Sequence, residues 1–362
     1  MGVTMELKSL LKEMIDVKAS DIYIVAGRPL LLATGGAIKQ LDDVMLMPND
    51  TREIIESIYE VANRDFAPML ENNNHDEDFS FAIGGVGRFR ANVFRQRGSF
   101  SSVIRVIPFG LPDPADFGIP EEVLRLSKLQ KGLVLVTGPA SAGKSTTLAC
   151  IVDRMNHERN GHIITLEDPI EYVHRHANCI VTQREIPTDV ATYAEALRSA
   201  LRQSPDIILL GEMRDPETIS TAMTAAEMAQ LRFSTLHTTR AAGTIDRLVD
   251  SFPATQQHQI RIQVSLVLQA IVCQQLVPTV DGGLTPAFEI MHSNPAIRNL
   301  IRERKTHQID LVIAAGANVG MRTMDQSLYQ LAKEGRITAD TAVRFSIHEE
   351  SLLRRLEIDG LL

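Results

Sequence analysis

Eight residues near the middle of the chain have the types and spacing of a phosphate-binding loop. They fit the pattern G-x-x-x-x-G-K-[ST] and read Gly138-Pro139-Ala140-Ser141-Ala142-Gly143-Lys144-Ser145. In such a loop the backbone N–H groups converge on phosphate oxygens, the lysine bridges the β- and γ-phosphates, and the serine hydroxyl binds Mg²⁺. We therefore predict that the loop, together with Thr146, binds ATP and Mg²⁺.

The elements around the loop support this interpretation. The apolar run at 133–136 predicts a buried strand before it. After it, apolar residues recur at the helical spacing i, i+3, i+4 and i+7, at Leu148, Ile151, Val152 and Met155. Strand, loop and helix are the order that the chemistry needs, because the positive end of the helix dipole then assists the loop amides.

An acidic residue follows another apolar run. Residues 207–210 predict a strand, and Gly211 and Glu212 come directly after it. Many phosphate-loop enzymes have Asp where Gly211 stands, so Glu212 is the acid that we assign to polarise the attacking water, with help from Mg²⁺. The alternative is a strand-end Glu that makes a surface salt bridge.

Three further carboxylates lie within five residues, at Glu167, Asp168 and Glu171. Beside a phosphate site they can hold hydrated Mg²⁺ and order water, since Mg²⁺ keeps several of its own waters. Taken alone, the same stretch also fits an acidic turn.

Continuous apolar runs occur at 133–136, 162–166, 207–210 and 233–236. Such runs are typical of strands that are covered on both faces, so we predict a parallel α/β sheet. Polar residues after these strands lie at the ligand-binding edge. His237, after the last run, could hydrogen-bond to the γ-phosphate there, although a lone histidine is more often structural.

The first part of the chain reads as mixed α and β. Residues 7–15 predict a helix and residues 22–25 a strand. Residues 88–94 alternate apolar and polar side chains, and residues 102–107 return after a turn at 96–99, which predicts a hairpin.

Prolines and a glycine between 108 and 114 mark a linker. We therefore predict an α+β domain over 1–108, a linker over 109–120 and an ATPase domain over 121–362, whose part 295–362 is helical.

Arginines crowd the predicted hairpin, at Arg88, Arg90, Arg95, Arg97 and Arg105. By alternation Arg105 shares a face with Val103 and Ile107, and a guanidinium on an apolar face requires a partner. Phosphates at a domain or subunit interface would provide one, so Arg90 and Arg105 can act as arginine fingers on the departing γ-phosphate. A solvated basic strand is the alternative.

Net charge, cysteine content and the length of the apolar runs argue against several classes of protein. The 362 residues carry a formal net charge of -8, which argues against a nucleic-acid partner. The three cysteines are far apart and predict buried residues rather than a disulfide or zinc framework. No run reaches the ~18 apolar residues of a membrane span. The nearest run, 264–277, contains glutamines and is interpreted as a buried amphipathic helix, so we expect a cytoplasmic protein without direct membrane insertion.

Taken together, the motifs resemble the secretion and pilus ATPases, and within them the type IV pilus retraction motors. The loop matches their Walker A motif, residues 164–171 the Asp box, 205–215 the atypical Walker B motif and 233–238 the His box. Residues 296–303 match a C-terminal signature of retraction motors. We expect a helix there, with an apolar face formed by Ala296, Ile297, Leu300 and Ile301.

This resemblance implies a PAS-like first domain, a RecA-like second domain and a homohexamer with ATP between the domains. It implies that ATP hydrolysis drives pilus retraction and thereby twitching motility. The implied partners are an inner-membrane pilus platform protein and, as a further candidate, a paralogous motor subunit. The chain would then work at the cytoplasmic face of the inner membrane, at the base of the pilus.

The chain departs from the family pattern at Ala140-Ser141-Ala142, where the family usually has Thr-Gly-Ser, and at Gln230, where it usually has His. Ser141 thus replaces a glycine that tolerates positive φ. These departures leave open an auxiliary nucleotide-binding subunit with low ATPase activity. A nucleic-acid motor is a third hypothesis, because RecA-like cores also drive helicases.

Overall fold

The structure is a computed structural model that describes residues 2–34, 37–71, 76–107, 110–213, 215–228 and 230–361, with side chains from Leu7 onward. The chain divides into two compact units, Met1–Gly110 and Leu111–Leu362. Pro108 and Phe109, the last residue of the predicted first domain and the first of the predicted linker, lie outside the described residues. The domain limits 1–108 and 121–362 stay a prediction.

The first unit contains helices and strands in the order α1 Gly2–Asp16, β1 Asp21–Ile24, β2 Leu31–Thr34, β3 Ala37–Gln40, α2 Pro48–Val61, α3 Ala67–Glu71, β4 Glu77–Ile83, β5 Gly87–Gln96 and β6 Ser99–Ile107. Its described strands form an antiparallel sheet in the order β3-β2-β1-β6-β5-β4.

The predicted helix, strand and hairpin of this unit are all present, with ends shifted by a few residues. In β5 the apolar side chains Phe89, Ala91 and Val93 are buried, as the alternation predicts. Arg105 differs from the expectation, because its side chain is 66% exposed although Ile107 is buried. Arg105 therefore does not lie within an apolar face.

The second unit begins with α4 Glu121–Leu124, β7 Gly132–Thr137, α5 Lys144–Glu158, β8 His162–Glu167, β9 Ile180–Glu185, α6 Tyr193–Ala200, β10 Ile207–Leu210, α7 Pro216–Glu227 and β11 Leu231–Leu236. It continues with α8 Ala241–Asp250, α9 Ala254–Val267, β12 Leu268–Pro278, β13 Leu284–His292, α10 Pro295–Arg302, α11 Ile309–Ala315, α12 Met324–Lys333, α13 Ala339–Arg344 and α14 Glu349–Ile358.

The strands of this unit form a sheet in the order β13-β12-β7-β11-β10-β8-β9, in which only the pairing of β13 with β12 is antiparallel among the described strands. Because side chains alternate along a strand, Leu133 and Leu135 of β7 join one core cluster while Val134 and Val136 join the other, which includes α5. Both faces are therefore covered, and the predicted parallel α/β sheet is confirmed.

The prediction of a helix over 264–277 is wrong for most of that run. Helix α9 ends at Val267, and the residues from Leu268 onward form β12 between β7 and β13. An apolar run that is buried on all sides does not distinguish a helix from a doubly covered strand. β12 contains three glutamines, Gln269, Gln274 and Gln275. Gln274 accepts from the Thr147 hydroxyl, and Gln269 and Gln275 donate to the carbonyl oxygens of Val267 and Phe345.

Helix α10 contains most of the 296–303 stretch that resembles a C-terminal signature of retraction motors. Asn294 caps its N-terminus by accepting from the amide of Ile297. Ile297 and Ile301 are buried as predicted, and Leu300 is half-buried. Ala296 is exposed, contrary to the prediction, because it lies in the first turn beyond the surface that packs on the core.

The cysteines behave as the sequence indicates, since Cys150, Cys179 and Cys273 are all buried and unbridged. Within the described part of the chain, no helix combines the length and apolarity that crossing a membrane requires.

Candidate nucleotide-binding and catalytic site

The loop between β7 and α5 depends on its two motif glycines. Gly138 has φ +148°, and a Cβ there would lie 2.1 Å from the carbonyl oxygen of Gln274. Gly143 caps α5 in the left-handed conformation, with φ +85°. A larger residue at Gly138 would collide with that backbone carbonyl, and one at Gly143 would be strained by the left-handed φ and would crowd Gln274 Nε2, so the glycine spacing of the motif has a conformational and steric cause.

Ser141 also adopts a left-handed conformation, with φ +61°. This is the position at which the family usually has glycine, and a side chain there costs roughly 1–2 kcal/mol relative to right-handed backbone. The loop thus keeps a backbone conformation that suits glycine although serine stands at this position, and Ser141 carries the resulting backbone strain.

Lys144 lies at the first helical position of α5 and is 9% exposed. Its Nζ donates to the carbonyl oxygens of Gly138, at 2.9 Å, and Pro139, at 2.7 Å. Burial lowers the pKa of the ammonium, while the charges of Glu212 and Glu171 act in the opposite direction. The lysine is therefore a buried cation whose charge is supported by carbonyl dipoles and nearby carboxylates.

The N-terminus of α5 is open to an anion. Among the described residues no side chain caps it, and its first turn carries no acidic residue. The first turn also carries the hydroxyls of Ser145 and Thr146, two residues that line the cavity described next. Exposed amides and the helix dipole together favour a phosphate at this position.

A cavity of about 590 Å³ surrounds this helix end. From the predicted site it is lined by Ala140, Ser141, Ala142, Gly143, Lys144, Ser145, Thr146, Glu167, Asp168, Glu171, Glu212 and His237. Gly138 and Pro139 lie beneath it and hold Lys144 through their carbonyls. The polar residues follow β7, β8, β10 and β11, the carboxyl edge at which α/β sheets bind ligands.

Glu212 and His237 form a pair in this cavity. Glu212 Oε1 lies 3.1 Å from His237 Nε2, and the two side chains are 16% and 53% exposed. The backbone beneath is tied across β10 and β11, because the Thr235 hydroxyl donates to the carbonyl oxygen of Gly211. The carboxylate is thus held in place while the imidazole remains accessible to a ligand.

Gly211 has a local reason to be glycine. A Cβ at this position would lie 2.8 Å from the hydroxyl oxygen of Tyr193 and 3.1 Å from the carbonyl oxygen of Leu166. Tyr193, at the start of α6, therefore occupies the space that an Asp side chain would need, and it also lines the cavity. Sequence reasoning missed Tyr193; the glycine at a position that usually carries Asp was the available signal.

Arg90 and Arg105 belong to the first unit and face each other across β5 and β6. Arg90 Nε donates to Asp78 Oδ1 at 2.8 Å, and Arg105 Nε donates to Asp21 Oδ1 at 2.8 Å. Asp21 thus provides Arg105 with a carboxylate partner within the first unit. The predicted role of both residues as arginine fingers stays a prediction.

The residues around the cavity fit a magnesium nucleotide. The uncapped first turn of α5 lines the cavity, and Lys144 adds a positive charge there. The side chains that could surround a cation are a hydroxyl, at Ser145, and carboxylates, at Glu167, Asp168, Glu171 and Glu212. Oxygen donors of this kind are those that Mg²⁺ prefers.

Comparisons with known proteins agree with this chemistry. A family model described as "Type II/IV secretion system protein" matches residues 3–308. The chain is 44% identical over 342 residues to the type IV pilus retraction ATPase PilT of Pseudomonas aeruginosa, covering 93% of this chain and 97% of that protein. It is 38% identical to the type IV pilus ATPase PilU of the same organism, over 94% of this chain and 88% of that protein.

A solved structure is similar along the same length. The crystal structure of the pilus retraction motor PilT with bound ADP superposes with a TM-score of 0.89 and 46% sequence identity, over 96% of this chain and 98% of that one.

Proposed function

This chain belongs to the type II/IV secretion system protein family, and from that membership we propose that it is an ATPase motor that hydrolyses ATP to retract type IV pili and so produces twitching motility. The observation that carries the proposal is one cavity in which Lys144 and Ser145 of a phosphate-binding loop face Glu212 and His237. Binding and hydrolytic groups are thus brought together at one sheet edge.

Each group has a defined task in this proposal. The α5 amides and Lys144 hold the β- and γ-phosphates, and the Ser145 hydroxyl is the protein ligand of Mg²⁺. The bound cation neutralises charge on the phosphate oxygens. Glu212 orients the attacking water and accepts its proton, and His237, 3.1 Å away, hydrogen-bonds near the γ-phosphate.

Glu167, Asp168 and Glu171 order the water around the cation in this scheme. We also propose that Arg90 and Arg105 stabilise charge on the departing γ-phosphate. For that step each guanidinium must exchange its carboxylate partner, Asp78 or Asp21, for phosphate oxygens.

The finer architecture belongs to the same proposal. It consists of a PAS-like domain over 1–108, a RecA-like ATPase domain over 121–362 and a homohexamer that acts on an inner-membrane pilus platform protein from the cytoplasmic side. A paralogous motor subunit is a further candidate partner.

The auxiliary, weakly hydrolysing alternative is not favoured. Lys144, Ser145, Glu212 and His237 all line the cavity, and Ser141 adopts the left-handed conformation that the loop requires. Gln230 lies just before β11, at the end of that strand opposite His237, so its substitution does not alter the cavity edge.

The function can be tested in vitro and in cells. We expect the purified chain to release phosphate from ATP only with Mg²⁺. We also expect the chain to restore twitching motility to a piliated bacterium that lacks its retraction ATPase, whereas Lys144→Ala fails in both assays. Normal phosphate release and motility with Lys144→Ala would refute the proposal.

A further inference from the structure

Gln183, in the middle of β9, contacts Glu167 of the candidate site and, at two points, the segment that follows the acidic residues. Its Nε2 donates to the carbonyl oxygen of Tyr172 at 2.9 Å and to Glu167 Oε1 at 3.3 Å. Its Oε1 accepts from the amide of His174 at 2.7 Å. Resting on the proposed ATPase function, we propose that Gln183 is a positioning residue that fixes Glu167 relative to the first turn of α5.

Strand register explains why one amide can do this. β9 runs parallel to β8, with Gln183 beside Thr165 and Glu185 beside Glu167. Side chains two residues apart on a strand share a face, so Thr165, Glu167 and Gln183 all project to one side of the sheet. Ile163 of the same face packs in the core cluster that includes α5, so this is the side on which the phosphate-binding helix lies.

Glu167 is held through one carboxylate oxygen by two donors. The Thr165 hydroxyl donates to Oε1 at 2.6 Å, and Gln183 adds the second hydrogen bond to the same atom. Donors from two neighbouring strands define the rotamer of the carboxylate more tightly than either donor alone. Glu167 lines the cavity, so its orientation bears on the water and cation that the cavity holds.

Tyr172 extends the link to the phosphate-binding helix. Its hydroxyl lies 2.9 Å from the hydroxyl of Thr146, the residue after Ser145. Gln183 holds the backbone of Tyr172, and the ring of Tyr172 reaches the first turn of α5. One side-chain amide therefore sets the distance between the acidic loop after β8 and the residue that we assign to Mg²⁺.

The strand also anchors this acidic loop at a second point, where Glu185 Oε2 accepts from the amide of Ile170 at 3.0 Å. Loss of Gln183 alone therefore leaves the loop attached through Ile170 and Glu167 bonded to Thr165, but it removes one donor to Glu167 and the hydrogen bond to the Tyr172 carbonyl oxygen. We expect an effect on hydrolysis and on the cation rather than on folding or on ATP binding.

Gln183→Met tests this, because methionine keeps the length of the side chain and removes both hydrogen-bonding groups. We expect kcat to fall about tenfold while KM for ATP stays within about twofold, as is typical when a group that orients a metal-site residue is removed. The matched control is Gln275→Met, which removes a strand-borne amide that binds the carbonyl oxygen of Phe345 at 3.0 Å, and we expect wild-type kinetics.

Magnesium affinity provides a readout that needs no hydrolysis. Titrating Mg²⁺ calorimetrically into protein loaded with a non-hydrolysable ATP analogue should show a dissociation constant about tenfold higher in Gln183→Met than in wild type or Gln275→Met. In a Glu167→Gln background the Gln183→Met change should lower kcat much less than in wild type, because the link between Gln183 and Glu167 is already altered and only the link through Tyr172 remains to be lost.

Wild-type kcat and Mg²⁺ affinity in Gln183→Met would overturn the inference, and so would a loss that persists undiminished in the Glu167→Gln background. These outcomes differ from a failure of the proposed function, in which the unmodified chain itself would not hydrolyse ATP.

Discussion

Each end of the parallel sheet in the second unit contains a buried positive charge, and the two charges differ in how completely they are paired. At the carboxyl edge Lys144 donates to two carbonyl oxygens and lies near Glu212 and Glu171. At the amino end of β11, Arg232 is 2% exposed, and its Nη2 donates to Gln230. Among the described residues, its Nε and Nη1 have no hydrogen-bond partner.

Lys144 is therefore available to bind a ligand, whereas Arg232 has no proposed function and is expected to lower the stability of the folded protein. Burial lowers the pKa of Arg232 to about 9, and at that value the guanidinium still stays charged at neutral pH. Its strand neighbours in register are Leu133 and Ile208, which offer no counter-charge. A buried charge without a full set of partners destabilises a fold, whereas a partnered one can be kept ready for a ligand.

The largest expected effect concerns the carboxyl edge. Glu212→Gln removes the base but keeps the shape and a hydrogen-bonding group beside His237. We expect kcat to fall by about 10²–10⁴-fold with little change in ATP affinity. Phosphate release under saturating Mg-ATP measures the first quantity and equilibrium nucleotide binding the second. A variant with undiminished kcat would remove Glu212 from the mechanism.

A third buried basic side chain, His174, differs from Lys144 and Arg232 because it can be neutral in the folded protein at neutral pH. Burial lowers its pKa to about 4 from an ordinary value of 6.5. The unfolded chain therefore binds a proton below pH 6.5 that the folded chain does not bind until about pH 4. Folding stability should fall by about 3 kcal/mol as the pH drops through that window.

The check for His174 is chemical denaturation of wild type and His174→Leu at pH 7.5 and pH 4. The variant should gain stability relative to wild type at the lower pH. An unchanged difference between the two proteins at both pH values would contradict the account.

Arg232→Leu removes the incompletely paired charge at the amino end of the sheet and leaves Lys144 at the other end unchanged. Replacing an incompletely paired buried charge by an apolar side chain is expected to stabilise the fold at neutral pH by about 1–3 kcal/mol. The midpoint of denaturant unfolding measures this gain, and kcat should stay at the wild-type value because Arg232 does not line the cavity. A loss of stability would mean that the guanidinium is better compensated than its geometry indicates.

The smallest expected effect is at Ser141. Ser141→Gly relieves a left-handed conformation worth roughly 1–2 kcal/mol, but glycine loses about 0.5–1 kcal/mol more entropy on folding. We expect a net stabilisation of at most about 1.5 kcal/mol and turnover within about threefold of wild type. A turnover gain of tenfold or more would instead show that Ser141 limits catalysis.

Local patterns in the sequence were sufficient for the loop and the sheet, but not for the contacts that fix them. The phosphate-binding loop and its flanking elements are adjacent in the chain, so spacing alone predicts them. Thr147 and Gln274, by contrast, are 127 positions apart and meet only when β12 pairs beside β7. Because the run containing β12 was interpreted as a helix, Gln274 could not be placed beneath the loop.

The same reason applies to Tyr193 and Gln183. Both act through tertiary contacts, one against Gly211 and the other against Glu167 and Tyr172. Neither belongs to a recognisable motif on its own. For Arg105 the local pattern was misleading. The alternation of side chains predicted an apolar face for Arg105, and it could not reveal the contact with Asp21, which is 84 positions away in the chain.

Calorimetric titration of ATP with Mg²⁺ into the intact chain and into Lys144→Ala tests the central claim most directly. The account predicts saturable binding to the intact chain and an affinity at least about 10²-fold lower for the variant, because the variant loses the ammonium group that the loop carbonyls hold. Equal affinities, or no uptake by well-folded intact protein, would contradict it.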